Sequence, residues 1–503
     1  MRVETTEPPR LGLAEHESTD ADPRPSSVRA AAPRAALLAL LFVLMATVLH
    51  LPGLYKQVFN PDEAYLATQA QVLQHGGRLY HDTVDRKPPV APYLYAAVFT
   101  VTGSRDLRWI HVLAILADAA TALLLAAEAR RRWGGRTPLY AGALFLIAVV
   151  ALLPGDAQAA NFEVFMLPAM TAAMVLAARG RVRDSGLALS VATLTKQTAA
   201  VTLLPLGWWA WRRHRWRGLG VLGVSFLVPI VVAALVFGVH DFMFWVWTGN
   251  GGYLSPGVGI GYLWRLGLHN TGFFVRANIA LLVLAGLAWR ARRKDLDLWL
   301  WTASAIVGVV AGFHFFGHYY LQLLPPLALL AASQLERVTR PVLVVASLVA
   351  LVPALWLVGD ALQTSHPHEV VAYRDVARYV DRHTSPDQPI FVWGHFPEVY
   401  WASDRRPATR FVTTGVLTGE SGGRPPSLVG EDRAVPGAWK MLQSDLHEHP
   451  PALIIDTSTA DIRNAHDYPP SRFPQFDTVL HRDYRQVATV RGVAIYARIS
   501  DVG

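Results

Sequence analysis

The sequence is organised as a series of apolar runs, and most of them have the length of a helix that crosses a bilayer. A helix needs about 20 apolar residues to cross the hydrocarbon core of a membrane. The runs lie at 33–51, 107–128, 138–154, 163–179, 218–238, 273–290, 297–312, 319–335 and 340–358. With 52% hydrophobic and only 17% charged residues, the chain is too apolar on average for a soluble multidomain protein. We therefore predict a polytopic α-helical membrane protein.

Short clusters of basic residues separate these runs and indicate how the chain is oriented. They lie at 130–132, 181–183, 212–215 and 290–294. Cytoplasmic loops of membrane proteins carry such an excess of Arg and Lys. If all four clusters are cytoplasmic, the stretch 185–211 must leave and return on one side, which favours a hairpin with Lys196 at its outer turn over one long helix. This parity predicts about eleven passes in the plasma (inner) membrane and a cytoplasmic amino terminus.

The chain then divides into a tail, a membrane part and an outer domain. Residues 1–32 are rich in Pro, Arg and Ser without apolar periodicity, so we predict a disordered cytoplasmic tail. Residues 33–359 form the predicted transmembrane catalytic domain, and 53–103 are its first extracytoplasmic loop. Residues 360–503 form the predicted extracytoplasmic domain, which must be held together by its own core because the chain has no cysteine.

The last region has the pattern of a small α/β domain. Its hydrophobicity is lower than that of the membrane part, and helical and strand periodicities alternate along it. Helices are predicted at 368–384 and 436–448, and strands at 389–393, 452–456 and within 484–498. The segment 392–400 follows the first strand, and its glycine at the strand end suits either an anion or acceptor-sugar site or plain packing on the membrane part.

The first outer loop is long, and its sequence predicts a folded structure that carries chemistry. Asp62 and Glu63 begin an amphipathic helical pattern over 62–75. Acidic residues at this position stabilise the start of a helix. A carboxylate at the mouth of a membrane cavity also serves as a general base for an acceptor hydroxyl, and the two roles are compatible. We therefore select Asp62 and Glu63 as candidate catalytic residues.

A second feature of this loop is the charged turn that ends in two prolines, Pro88 and Pro89. Asp85 and Lys87 stand directly before the prolines, which restrict the backbone. A lysine ammonium is a compact positive charge that suits a phosphate. The alternative is a lysine that reaches out to lipid headgroups. Lys87 is the candidate phosphate ligand, and Asp85 is a further candidate site residue.

Three more ionisable residues lie in or beside apolar segments, where a charge usually has a partner or a function. Lys196 is surrounded by uncharged residues and is expected to face the protein interior, paired with a carboxylate or a phosphate. Asp156 and Glu163 lie in the second outer loop. We prefer Glu163, at the start of an apolar run, because Asp156 has the context of a solvated loop residue.

The late loops supply further polar candidates. His314, His318 and Tyr319 lie in a short loop between two apolar runs, where a tyrosine is most often an interfacial anchor. A metal site at the two histidines is only weakly indicated, because no carboxylate stands near them in sequence. Arg265 and Arg276 are the available phosphate partners of the 240–272 region, and the sequence does not choose between them.

Taken together, several of these segments resemble a known superfamily. They are AsnProAspGlu-x-Tyr (60–65), GlyGly-x-LeuTyr (76–80), AspArgLysProPro (85–89), AsnPheGluValPhe (161–165), LeuThrLysGln (194–197) and HisTyrTyrLeuGlnLeuLeuPro (318–325). Their order and spacing over about residues 35–340 resemble the bacterial dolichyl-phosphate-mannose protein mannosyltransferase and aminoarabinose transferase superfamily, which has the GT-C glycosyltransferase fold.

The resemblance implies an inverting glycosyltransferase that takes a sugar from a polyprenyl-phosphate donor. Asp62 matches the acidic residue of the first outer loop, and Lys87 matches a position that contacts the donor phosphate. Glu163 matches the second acidic position, although that position is often Asp. His318 and Tyr319 are implied to donate hydrogen bonds to the phosphate. The implied partners are the lipid-linked donor, membrane lipids and an extracytoplasmic glycan, lipid or protein acceptor, with no nucleic acid.

Two questions stay open at the level of sequence. No cofactor is required by the residues, and the acidic pair permits a divalent cation without demanding one. The alternative function is a transporter or a flippase for lipid-linked sugars, which also has many passes and few intramembrane charges. Against that alternative, the chain shows no paired inverted halves with broken helices in matching positions.

Overall fold

The computed structural model describes residues 25–249, 259–291, 294–363, 367–420 and 424–501. The membrane part contains α1 (Pro25–Leu49), α2 (Leu51–Tyr55), α3 (Pro61–Gln74), α4 (Val90–Thr102), α5 (Arg108–Arg132), α6 (Thr137–Val150), α7 (Pro154–Ala157), α8 (Phe162–Ala178), α9 (Val182–Thr195), α10 (Leu203–Phe237), α11 (Val239–Val246), α12 (Ile260–Ala277), α13 (Ile279–Ala291), α14 (Leu296–Val310), α15 (Leu324–Leu335) and α16 (Arg340–Leu362). Short 3-10 turns at Gln197–Thr202 and Gly317–Leu323 lead into α10 and α15.

The outer region contains α17 (Pro367–His383), β1 (Ile390–Trp393), α18 (Glu398–Ser403), α19 (Gly415–Thr418), α20 (Ala438–Glu448), β2 (Leu453–Asp456), α21 (Pro474–Asp483), β3 (Tyr484–Val490) and β4 (Val493–Arg498). Its remaining 3-10 turns are Pro426–Leu428, Glu431–Arg433, Ser458–Ala460, Ile462–Asp467, Pro470–Arg472 and Ile499–Asp501. The helices and strands predicted from the sequence of this region are confirmed.

Long apolar helices identify the membrane part. Among the described residues, three helical stretches are long and apolar enough to cross a membrane: Arg108–Arg132, Gln197–Phe237 and Arg340–Leu362. Shorter apolar helices are Ala35–Leu49, Val90–Thr102, Thr137–Val150, Phe162–Ala178 and Leu296–Val310. Large apolar side chains are exposed on these helices, for example Leu235 (66%) and Trp356 (68%). Exposure of this kind, repeated around the bundle, is expected where the neighbour is lipid.

The stretch 185–211 forms the predicted hairpin. Helix α9 ends at Thr195, the backbone of the next residue, Lys196, is extended, and the chain continues through the Gln197–Thr202 turn into α10. Arg213 Nη2 donates to the carbonyl oxygen of Ala178 over 2.8 Å, so the far end of the second arm returns to the beginning of the first. The backbone of Arg215 is not helical and separates this arm from the next pass.

Two predicted runs are broken, and the amino-terminal helix is longer than predicted. The run at 273–290 is divided at Asn278, where α12 and α13 meet at 86°. Asn278 caps α12 through its backbone and donates from Nδ2 to the carbonyl oxygen of Ala151 over 3.0 Å, which holds the corner in place. The run at 319–335 begins as a 3-10 turn. Helix α1 begins at Pro25, inside the predicted tail, and the rest of that tail lies outside the described residues.

The outer domain is built on a four-stranded mixed sheet with the order β1-β2-β4-β3. Strand β1 runs parallel to β2, with Ile390 opposite Leu453, while β4 is antiparallel to both β2 and β3. Every residue of β1 and β2 is buried, as expected for strands that are covered on both faces, although β1 lies at the edge of the sheet. The sequence predicted the strands but not this order.

The first outer loop is joined closely to the outer domain. Val84 N–H donates to the carbonyl oxygen of Arg410 over 3.1 Å, and Trp401 Nε1 donates to the carbonyl oxygen of Arg105 over 2.9 Å. Leu79 and Tyr80 belong to the same buried apolar cluster as the side chains of the outer sheet. The loop is therefore held between the helices below it and the domain above it.

Candidate active site

The amino end of α3 holds Asp62 in a fixed position. Asn60 Oδ1 accepts the backbone N–H of Asp62 over 3.0 Å, and Pro61 occupies the first helical position. Glu63 Oε2 closes the cap by accepting the backbone N–H groups of Phe59 (2.7 Å) and Asn60 (3.0 Å). A capping box of this kind satisfies the free N–H groups of a helix start. The predicted helix start is confirmed, and Asp62 is the second residue of the helix.

Glu63 is a fully buried link between two loops. Its second oxygen, Oε1, accepts the backbone N–H of Ala160 in the second outer loop over 2.8 Å. His111 Nε2 lies 3.3 Å from the same oxygen. Burial raises the pKa of Glu63, against the opposing effects of His111 and the backbone N–H groups. With both oxygens occupied, this carboxylate connects α3 to the second loop and faces no open space.

Asp62 pairs with Lys87 across the first loop. Lys87 Nζ lies 3.3 Å from Asp62 Oδ2 and 4.0 Å from the centre of the Phe162 ring. Burial by itself would raise the pKa of Asp62, but the charges of Lys87, His318 and His395 outweigh burial and hold the pKa at about 2. Asp62 is therefore ionised at any physiological pH.

The turn that carries Lys87 is anchored by hydrogen bonds to its backbone. Tyr80 Oη donates to the carbonyl oxygen of Lys87 over 2.8 Å, and Gln197 Nε2 donates to that of Arg86 over 2.7 Å. Gln197 begins the 3-10 turn that joins α9 to α10. The α9–α10 hairpin therefore helps to hold the turn that carries Lys87. Lys196 and Gln197 are neighbours in sequence but contact different parts of the site. Gln197 binds the backbone of Arg86, whereas Lys196 pairs with Glu163.

Asp85 is buried close to the same charges. Its Oδ2 has no hydrogen-bond partner in the described part of the chain. Burial raises the pKa of Asp85 to about 6, with Lys87 opposing the rise and Asp62 adding to it. Two carboxyl groups of one loop thus have pKa values on opposite sides of their usual range, a pattern common at functional sites.

Glu163 and Lys196 form a buried ion pair, as expected for a lysine inside an apolar stretch. Lys196 Nζ also lies 4.0 Å from the centre of the Tyr319 ring. His318 Nε2 is 3.9 Å from Glu163 Oε1, so the late loop meets the second outer loop at this point. A cation held between a carboxylate and an aromatic face is well stabilised in a site shielded from water.

Asp156 completes this group through His318. Asp156 Oδ1 lies 2.7 Å from His318 Nδ1 and accepts the backbone N–H of His318 over 3.0 Å. Asp156 is thus not the solvated loop residue that its sequence context suggested, because the folded late loop brings His318 to it. The described structure therefore gathers Asp62, Lys87, Asp156, Glu163, Lys196, His318 and Tyr319 around one region at the outer ends of the helices.

The two candidate arginines lie apart from this group. Arg265 and Arg276 are exposed on α12, and neither forms an ion pair with another described residue. Helix α12 does touch the late loop, because Thr271 Oγ1 and Tyr320 Oη are 2.7 Å apart. The structure thus favours neither arginine over the other as a phosphate partner.

The carboxylates of the site are paired with basic side chains, an arrangement that differs from a metal cage. Asp62 faces Lys87, Glu163 faces Lys196, and Asp156 faces His318. Within the described ranges, no three His, Asp or Glu side chains are grouped as metal ligands. His314 stacks on Phe316 with ring centres 5.3 Å apart.

Sequence reasoning missed the contribution of the outer domain to the site. His395 lies in the turn after β1, and the charges of Asp62 and Lys87 both act on its pKa. The glycine at the end of a predicted strand was the one visible signal for a site in this turn, and it did not point to His395. The position of His395 beside Asp62 had no such signal, because it depends on how the outer domain packs on the membrane part.

The fold has clear counterparts among solved structures, whereas no protein-family model and no curated protein sequence matches the chain. ArnT from Cupriavidus metallidurans, solved bound to undecaprenyl phosphate, superimposes with a TM-score of 0.62 at 15% identity, over 92% of this chain and 98% of that chain. The oligosaccharyltransferase of Archaeoglobus fulgidus, solved with Zn and sulfate, gives 0.55 at 11% identity, over 92% and 73%. The archaeal oligosaccharyltransferase AglB with an inhibitory peptide and a dolichol-phosphate gives 0.52 at 11% identity, over 92% and 74%. The chain is therefore a polytopic helical membrane protein with the GT-C fold of these enzymes.

Proposed function

We propose that this protein is an inverting glycosyltransferase that moves a sugar from a polyprenyl-phosphate donor to an acceptor hydroxyl on the extracytoplasmic face. The observation that carries the proposal is the ion pair between Asp62 and Lys87, 3.3 Å apart at the outer ends of the helices. It joins a proton acceptor to a phosphate ligand in a fold shared with an enzyme that was solved with undecaprenyl phosphate. Proximity of the two groups is what the reaction requires.

In the proposed reaction, the acceptor oxygen attacks the anomeric carbon of the donor and the bond from that carbon to the phosphate oxygen breaks. The proton of the acceptor hydroxyl passes to Asp62, and the electron pair leaves with the lipid phosphate. Lys87 stabilises the negative charge that develops on the departing phosphate. Attack from the side opposite the phosphate inverts the configuration of the sugar.

The ion pair also explains how a carboxylate with a low pKa serves as a base. A donor phosphate that binds Lys87 competes with Asp62 for the same ammonium group. It also places a second negative charge near the carboxylate, and a like charge raises the pKa of an acid. Binding of the donor thus makes Asp62 a stronger proton acceptor when the acceptor arrives.

The remaining charged residues have supporting roles in this proposal. Glu163 pairs with Lys196 and Asp156 contacts His318, which lets these basic side chains lie near the phosphate with a carboxylate beside each. Glu63 positions Asp62 by joining α3 to the second loop. The amino terminus and the basic clusters lie in the cytoplasm, while the first loop and the outer domain face the opposite side, as the positive-inside pattern predicts.

Donor cleavage is the direct test. Purified protein in detergent is incubated with envelope membranes as the acceptor and with polyprenyl-phosphate sugars that carry a radiolabel in the sugar, and the loss of label from the lipid is measured. Cleavage by the wild type and its loss in Asp62→Asn is the expected result. A flippase or transporter would move the lipid across vesicles and leave the sugar-phosphate bond intact. Intact donor for every sugar tested contradicts the proposal.

A further inference from the structure

The turn after β1 places one residue of the outer domain beside the proposed catalytic pair. Gly394, directly before His395, has a φ of +125°, and a side chain there would collide with Thr457. Only glycine is comfortable at such a φ, so the turn is sharp by necessity. Arg463 Nη1 then donates to the carbonyl oxygen of His395 over 2.7 Å and fixes the peptide.

Arg463 is itself firmly held. Its guanidinium lies 2.6 Å from Glu398 Oε1 and 3.2 Å from Glu369 Oε2, so two carboxylates hold it in one orientation. Glu398 is the first residue of α18 and is fully buried. A paired arginine of this kind is well suited to orient a backbone, because its planar group donates in several fixed directions. The backbone at His395 is therefore built with more support than an ordinary surface turn.

Packing of α18 on α3 brings this turn to Asp62. Gln71 Nε2 donates to Asp404 Oδ1 over 3.0 Å and joins the carboxyl end of α3 to the end of α18. Tyr65, one turn beyond Asp62 on α3, packs against the buried cluster of the outer domain that contains Phe396. Residues three apart on a helix lie on one face. The residue before Phe396 is thus brought to the end of α3 that carries Asp62.

The charges around His395 come from both domains. Burial and the charge of Arg463 lower its pKa to about 4, while Asp62 and Glu398 oppose the fall and Lys87 adds to it. The imidazole is thus neutral at physiological pH, with one nitrogen that donates and one that accepts. In the described part of the chain, no hydrogen bond is made to this ring. Both nitrogens are available to a bound molecule.

We propose that His395 is an acceptor-binding residue, supplied by the outer domain, that hydrogen-bonds the sugar-accepting molecule beside Asp62. The inference rests on the proposed function and adds a role for the domain above the membrane. A neutral ring offers hydrogen bonds and no charge, which suits a hydroxyl-bearing acceptor better than an anionic phosphate. The donor enters with its prenyl tail in the bilayer, whereas His395 approaches Asp62 from the opposite, aqueous side.

Two measurements on the full chain separate the acceptor from the donor. The first is the affinity of purified protein for undecaprenyl phosphate. The second is transfer of labelled sugar from a polyprenyl-phosphate donor to envelope membranes of cells that lack the native protein, as a function of membrane concentration. For His395→Ala we expect unchanged undecaprenyl-phosphate affinity and an increase of about tenfold in the half-saturating membrane concentration, the size of one lost hydrogen bond. His395→Gln, which keeps a donor and an acceptor, restores part of the loss.

His447→Gln is the matched control, because His447 is exposed on α20 of the same domain. We expect it to match the wild type in both measurements and in thermal unfolding. Weaker binding of undecaprenyl phosphate by His395→Ala would place the residue on the donor side, and unchanged transfer would remove it from the site; either result overturns the inference while leaving the proposed function intact. A wild type that cleaves no donor removes both.

Discussion

Lys87 Nζ lies 3.3 Å from Asp62 Oδ2, although the two residues are 25 positions apart in the first outer loop. The helix cap at Asn60 fixes one partner, and the hydrogen bonds to the backbone of Arg86 and Lys87 fix the other. Each side chain is only partly exposed, so the pair is shielded on most sides and open towards one. In the proposed reaction, Lys87 of this pair binds the donor phosphate and Asp62 accepts the proton of the acceptor hydroxyl.

Replacement of Asp62 by Asn removes the proposed proton acceptor while keeping the shape and most hydrogen bonds of the side chain. We expect transfer to fall by about 10²–10⁴-fold, the usual contribution of a general base. Binding of undecaprenyl phosphate should persist, because Lys87 remains. Asp82→Asn, an exposed carboxylate of the same loop, should behave as the wild type. Full activity in Asp62→Asn protein would eliminate Asp62 as the base.

The buried pair of Glu163 and Lys196 predicts a large effect on stability when only one partner is removed. We expect Lys196→Met to destabilise the protein by about 3–5 kcal/mol, since Glu163 is then left charged and unpaired. The double variant Lys196→Met with Glu163→Gln should recover part of that loss. Thermal unfolding in detergent measures both. Arg181→Ala, which breaks the exposed pair with Asp184, is the control and should change stability little. An equal loss of stability in Lys196→Met and Arg181→Ala would contradict the prediction.

Asp85 predicts a stability change that depends on pH. Its pKa is raised from 3.8 to about 6 in the folded protein, so between these values the folded state binds more protons than the unfolded state. Stability from this group is therefore present at low pH and is lost as pH rises through about 6. Asp85→Asn should be more stable than the wild type above this window, by up to about 3 kcal/mol, and show little gain below it. The measurement is the unfolding midpoint of Asp85→Asn and of the wild type from pH 4 to pH 8. A difference between the two proteins that stays constant over this range would contradict the prediction.

The topology can be mapped directly because the chain contains no cysteine. Single cysteines at the exposed positions His81 in the first loop and Arg382 in the outer domain should react with a membrane-impermeant maleimide in intact cells. A cysteine at exposed Arg212, in a basic cluster, should react only after the membrane is opened. Labelling of the Arg212 position in intact cells would reverse the predicted orientation of the hairpin.

The membrane architecture was accessible from the sequence because it depends on local quantities. Apolar length and the placement of arginine require no knowledge of distant contacts, and the hairpin around Lys196 followed from parity alone. The corner at Asn278 was not predicted, since a continuous apolar run gives no local sign of an 86° bend. That bend is held by a hydrogen bond to Ala151, far away in sequence.

By itself, the sequence determined that the chain is a helical membrane protein with a folded first loop, and it selected Asp62, Lys87, Glu163 and Lys196. Glu163 and Lys196 are residues whose charge is costly in their local context, whereas Asp62 and Lys87 stood out in a first loop of unusual length. Only the tertiary structure decided their partners, because an ion pair depends on distances between segments that are remote in the chain. It joined Asp156 to His318, showed Glu63 to be enclosed by backbone N–H groups, and brought His395 of the outer domain to the pair that the first loop carries.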